Sequence, residues 1–167
     1  MDNIVFITGA SSGIGAGCAR KFASQGASLI LNARNVNKLS ALKEELEKQY
    51  GAKIYLLPFD VRDRKAATSA LESLPKEWQS IDILVNNAGL VIGTDKEQEG
   101  SLDEWDIVID TNIKALLAMT RLIVPGMVER KRGHIINIGS IAGDAAYPGG
   151  SVYCATKAAV KALSDGL

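Results

Sequence analysis

Tyr153 and Lys157 place a phenol and an ammonium four residues apart, and Ser140 precedes the tyrosine by thirteen. In a helix, residues i and i+4 share a face. An ammonium held beside a phenol favours the phenolate, lowering a pKa that is about 10 in the free side chain, which suits general acid/base work. Alone, so short a pattern favours an ordinary helix carrying a tyrosine and a lysine. Its company changes the reading: Thr8-Gly9-Ala10-Ser11-Ser12-Gly13-Ile14-Gly15 near the start, and Asn86-Asn87-Ala88-Gly89 between the two.

These side chains need elements to position them. The apolar stretch 3–8 reads as a strand, and the glycine cluster leads from it into a helix over 13–25. Glycines allow a tight turn and close approach of main chain to a pyrophosphate, while the free amides and dipole at a helix start favour negative charge. The predicted cofactor-binding positions here are Gly9, Ser11, Ser12, Gly13, Ile14 and Gly15. The spacing is GxxxGxG, not GxGxxG, and as a lone motif it also suits a structural turn. A second strand, 28–33, ends at Asn32-Ala33-Arg34-Asn35, where a NAD-binding chain usually offers an acid to the ribose hydroxyls. Arg34 can instead hold a 2′-phosphate through charge-assisted hydrogen bonds, which favours NADP(H) over NAD(H). A solvated arginine at a strand end is the plain alternative.

Further strands are predicted at 53–58, 82–86 and 133–139, with helices at 36–50, 63–74, 102–131 and 152–167. Gly26 and Gly51 sit where left-handed caps are wanted, Pro75 ends the third helix, and Ser101 with Glu104 makes a capping box. Alternating strands and helices predict an α/β fold, a Rossmann-like doubly wound parallel sheet of order 3-2-1-4-5, with ligands beyond the carboxyl ends of the strands. Residues 1–167 read as a single domain.

The series Thr8 to Gly15, Asp60-Val61, Asn86 to Gly89, Asn112, Ser140 and Tyr153 to Lys157 resembles the short-chain dehydrogenase/reductase family. The stretches 125–130, 133–140 and 147–150 are more narrowly similar to its NADP-dependent 3-hydroxy acid (serine or allo-threonine type) dehydrogenases. The resemblance implies hydride transfer between NADP(H) and a small alcohol or carbonyl substrate. It implies that Tyr153 exchanges the proton at the substrate oxygen, that Ser140 hydrogen-bonds that oxygen, and that Lys157 tunes the tyrosine and binds the nicotinamide ribose. Asn112 would bend its helix and hold a water linking the lysine to solvent. Asp60 and Val61 would contact adenine, and Asn87, Ala88 and Gly89 would pack beside the adenosine end. Each polar residue could also serve as a cap or a satisfied amide. Apolar residues on helix 102–131 suggest that part of it faces another subunit, and the resemblance implies a homo-oligomer, dimer or tetramer, paired through this helix and helix 152–167; a doubly covered internal helix is the other reading.

The family usually continues beyond this point with further strands and a substrate lid. The chain therefore reads as truncated within the helix carrying Tyr153 and Lys157, its C-terminal strands missing, leaving the 133–139 edge exposed or covered by a partner. A dinucleotide-binding module without turnover is an alternative, and a sugar nucleotide epimerase is a third. Nineteen basic and nineteen acidic residues give a formal charge of zero, so neither nucleic acid nor membrane is an expected partner. No apolar run reaches about 18 residues and the start lacks a basic signal region, making the cytoplasm the expected location. Two cysteines and one histidine support neither a disulfide framework nor a metal site. Cys154 reads as a packing residue and His134 as the structural start of a strand.

Overall fold

The computed structural model describes residues 3–167. Five strands form one parallel sheet: β1 (Ile4–Ile7), β2 (Ser28–Leu31), β3 (Ile54–Leu56), β4 (Ile83–Asn86) and β5 (His134–Asn137), in the order β3-β2-β1-β4-β5. That is the expected 3-2-1-4-5 arrangement, each strand one to three residues shorter than its apolar run suggests. Register is continuous across the centre, with Phe6 beside Ile30 on one side and Leu84 on the other. The helices are α1 (Gly13–Ser24), α2 (Val36–Tyr50), α3 (Arg64–Glu72), α4 (Leu102–Ile109), α5 (Leu116–Glu129) and α6 (Ser151–Asp165).

Successive strand residues face opposite ways, and the core divides accordingly. Val5, Ile7, Leu29 and Leu31 meet Ala16, Ala19 and Ala23 of α1 and Leu39, Leu42 and Leu46 of α2. Phe6, Ile30 and Leu84 point to the other face, against Ala67 of α3 and Met119, Ile123 and Met127 of α5. A strand buried on both faces reads as an unbroken apolar run, which is why β1 and β2 are conspicuous in the sequence. The edge strand β5 is different: His134 is exposed and Ile135, Ile136 and Asn137 are only half-buried. Among the described residues no helix is long and apolar enough to cross a membrane.

Local signals set the boundaries. Gly26 and Gly51 adopt φ of 81° and 62°, the left-handed region that favours glycine. Asn35, Asp63 and Ser101 cap α2, α3 and α4, each accepting a main-chain N–H three residues on. The single helix predicted over 102–131 is corrected to two, joined by a π-helical segment at Asp110–Ala115. Inside it, the Thr111 hydroxyl donates to Ile107 O at 2.7 Å, a local bond that competes with the regular helical ladder. Single π turns of this kind commonly lie at functional sites. Here the turn buries Asn112 beside α6.

Candidate active site

A cleft of about 970 Å³ runs along the carboxyl ends of the strands. Its wall contains Gly9, Ser11, Ser12, Gly13 and Ile14 from the β1–α1 turn, Arg34 and Lys38 after β2, and Asp60, Val61 and Arg62 after β3. It continues past Asn87, Ala88, Gly89 and Leu90 to Gly139, Tyr153 and Lys157. Most predicted positions are thereby brought to one surface. Gly15, Asn112 and Ser140 do not line it: Gly15 is buried under the turn, Asn112 is buried behind the wall, and Ser140 follows the wall residue Gly139.

The first turn is built to leave donors open. Gly9 and Gly13 have φ of 64° and 53°, and a side chain at Gly9 would lie 2.9 Å from Asn87 Nδ2. Ser12 precedes α1 with no side-chain capping bond, unlike the caps of α2, α3 and α4. The first amides of α1 are thus not taken by a capping side chain, beside a cleft lined by Ser11 to Ile14. Asn87 clamps the turn from the next strand, donating through Nδ2 to Thr8 O at 3.0 Å and Gly9 O at 3.1 Å. The Thr8 hydroxyl returns the link, accepting from the main-chain N–H of Asn87 and of Ala88, each at 3.0 Å. Thr8 was visible only as a motif residue; its partners lie 79 and 80 positions away, which no local pattern reveals.

At the opposite end, Lys157 is 7% exposed and its ammonium donates to Ile138 O at 2.7 Å. It lies 5.9 Å from the centre of the Tyr153 ring, so the two side chains share the cleft as their spacing predicts. Burial pulls the lysine below its ordinary pKa, since desolvation disfavours the charged form. The Asn112 side chain makes three hydrogen bonds. Its Nδ2 donates to Leu90 O at 2.9 Å and to Thr156 Oγ1 at 3.0 Å, and its Oδ1 accepts from Leu90 N at 2.9 Å. The Thr156 hydroxyl in turn donates to Tyr153 O at 2.7 Å, tying the π turn to the helix turn that carries the tyrosine. Ser140 Oγ accepts from Ala142 N at 3.1 Å, which uses a lone pair and leaves its O–H uncommitted in that bond. Cys154 is buried, consistent with packing.

At the adenosine-facing end suggested by Arg34, the Arg62 guanidinium forks onto Asp60 and holds its carboxyl below the usual range. Arg62 and Lys38 were not singled out from sequence. Charged residues just after strand ends are common on surfaces, and only the fold shows that these two face one cleft.

The short chain dehydrogenase family pattern matches residues 3–167, and the chain belongs to that family. It is 50% identical over 161 residues to the NADP-dependent 3-hydroxy acid dehydrogenase YdfG of Escherichia coli (strain K12), covering 96% of this chain and 63% of that protein. A NADP-dependent 3-hydroxy acid dehydrogenase of Schizosaccharomyces pombe is 43% identical, over 98% of this chain and 63% of the relative. The chain thus spans a little under two thirds of the length of these relatives. Among solved structures, serine dehydrogenase from Escherichia coli superposes with a TM-score of 0.92 at 49% identity, covering 98% of this chain and 74% of that one. The closed form of serine dehydrogenase complexed with NADP+ gives 0.91 at 48% identity, over 98% and 64%.

Two measurements test this geometry. Thr8→Val removes the acceptor for two main-chain N–H groups while keeping the shape, and should destabilise the fold by about 2–3 kcal/mol, read as a lower urea midpoint at unchanged slope. Thr8→Ser should recover most of the loss. For Lys157, the folded pKa lies below the unfolded value, so between the two the unfolded chain binds more protons and stability rises with pH. The burial penalty is complete below the folded value and is relieved as pH climbs toward 10.5, the ordinary lysine value. Unfolding of wild type and Lys157→Met in parallel should therefore show wild type gaining relative stability across that alkaline window.

Proposed function

We propose that this chain carries the dinucleotide-binding and proton-transfer machinery of a NADP(H)-dependent oxidoreductase acting on a small alcohol or carbonyl compound. The 3-hydroxy acids named for its relatives are the first substrate class to test. The observation that carries the reading is one continuous cleft with an anion-receptive glycine turn toward one end and the Tyr153–Lys157 pair at the other.

The residues present fit NADP(H). The uncapped start of α1 and the left-handed Gly9 and Gly13 suit a pyrophosphate brought close to main chain, and Arg34, 68% exposed, suits a 2′-phosphate. Asn87 holds the glycine turn in shape, while Ala88, Gly89, Asp60 and Val61 complete the wall. When bound, the cofactor supplies or accepts the hydride. The chain's own task is the proton: Tyr153 gives it to the substrate oxygen in reduction and takes it in oxidation, with Ser140 donating its free O–H to the same oxygen. Lys157 supplies positive charge next to the phenol, its position fixed by Ile138 O. Because both Asn112 N–H groups are committed to Leu90 and Thr156, a water between this segment and Lys157 would rest on main chain or on the second lone pair of Asn112 Oδ1. Asn112 also ties the π turn to α6.

The same reading places the protein in the cytoplasm, with homo-oligomers formed through the outer faces of α4, α5 and α6. Leu102, Leu117 and Val128 are exposed apolar residues on α4 and α5 in support of such a surface.

Tyr153→Phe tests the chemistry. With NADPH and a small 3-oxo acid, turnover should fall by about 10²–10⁴ while the NADPH dissociation constant stays unchanged. Retention of most of the turnover removes Tyr153 from the proton-transfer role. Tight NADPH binding without oxidation by any carbonyl compound favours a binding module only where a full-length version of the protein also fails to turn over.

A further inference from the structure

The Asp60 carboxylate is committed largely to Arg62. Its Oδ1 accepts from the Arg62 main-chain N–H at 3.0 Å and from Arg62 Nε at 3.1 Å; its Oδ2 accepts from Nη2 at 2.7 Å and Nε at 3.2 Å. Three hydrogens make these four contacts, the single Nε–H being shared between the two oxygens, so of about four lone-pair sites on an ionised carboxylate the fork takes most. Arg34 approaches the same carboxylate from the end of β2, its Nη1 4.0 Å from Oδ2, close enough for attraction but too far for a hydrogen bond. Arg34, Lys38 and Arg62 all face the cleft, and Asp60 is the acid on that wall. Asp110, which also attracts Arg62, is paired with Lys114 at 2.7 Å, so three wall cations less one wall carboxylate leave a local charge of two, matched to a phosphate monoester dianion.

We infer that Arg62 is a second specificity residue, and that Asp60 is a positioning residue which fixes Arg62 and draws Arg34 toward it, so that both guanidiniums receive the adenosine 2′-phosphate. Arg62 spends Nε and Nη2 on Asp60 and keeps Nη1, with both of its hydrogens, outside that fork. A planar guanidinium anchored on one side by a carboxylate loses little freedom when it binds an anion on the other. The inference rests on the dinucleotide reading above. It differs from an adenine-contacting role for Asp60 in a measurable way: adenine is common to both nicotinamide cofactors, whereas the 2′-phosphate belongs to one.

Arg62→Gln keeps a polar side chain without the charge. Dissociation constants for NADPH and NADH, with 2′,5′-ADP and 5′-AMP as competitors, are measured by fluorescence titration at low and high ionic strength. The variant should bind NADPH and 2′,5′-ADP at least about tenfold more weakly, the loss of one charge-assisted hydrogen bond. NADH and 5′-AMP should change by less than about twofold, and the salt dependence of NADPH binding should flatten. Asp60→Asn, which releases Arg62, should lower NADPH affinity in the same selective way, and Arg62→Lys should keep part of the preference. Equal losses for both cofactors, or none, overturn the inference. If wild type prefers NADPH and loses that preference in Arg34→Gln but not in Arg62→Gln, the inference fails while the NADP(H) reading stands. A wild type without preference defeats both.

Discussion

A lysine ammonium removed from water must find an oxygen to hold it, and in this protein that oxygen is the carbonyl of Ile138 just beyond β5. The bond joins the last strand to α6, and it fixes where positive charge sits relative to the Tyr153 ring. Much of the surrounding structure keeps that contact in place. Ile138 N donates to Asn86 O, continuing the β4–β5 ladder past the strand ends. Asn86 reaches Asn137 and Thr120 through Nδ2, and Asn137 donates to Ser164 near the far end of α6. On the other side of α6, Thr156 is held by Asn112 from the π turn. The buried cation costs stability through desolvation, a cost the packing elsewhere in the sheet must offset.

The cleft divides its labour by position. Toward one end, main-chain amides and arginines offer positive potential without a buried charge, because Arg34 and Arg62 remain open to water. At the other, one buried lysine lies beside one half-buried tyrosine, where burial leaves the charge less screened than at the exposed arginines. The central strands separate the two. Thr8 and Asn87 lock the glycine turn to the end of β4, so that the amides of α1 and the wall leading to Lys157 are parts of one rigid frame.

The sheet order and four of the six helices can be read from sequence because β1 and β2 are buried on both faces and therefore spelled in consecutive apolar residues, while Gly26 and Gly51 punctuate them. The helix around Asn112 resists such reading. Its apolar periodicity continues through 102–129, and what divides it is a hydroxyl bonding back to Ile107 and an amide bonding to Leu90, contacts that hydrophobic pattern does not encode. The same holds at the cleft. Tyr153 and Lys157 are legible since four residues is a helical turn, and the glycines since backbone freedom has a composition. Thr8 as the hub of two amides, Thr156 as the brace of α6, and Arg62 as the partner of Asp60 depend on which loops the fold gathers at one end of the sheet.

That gathering is the central claim: segments far apart in sequence form a single dinucleotide site. Hydrogen–deuterium exchange read by mass spectrometry, with and without saturating NADP+, measures it directly. Slower exchange should appear together in residues 8–15, 32–38, 60–62, 87–90 and 138–157, with α2 and α3 beyond their first turns unchanged. Protection confined to one of these segments, or absent from all of them, would contradict the account.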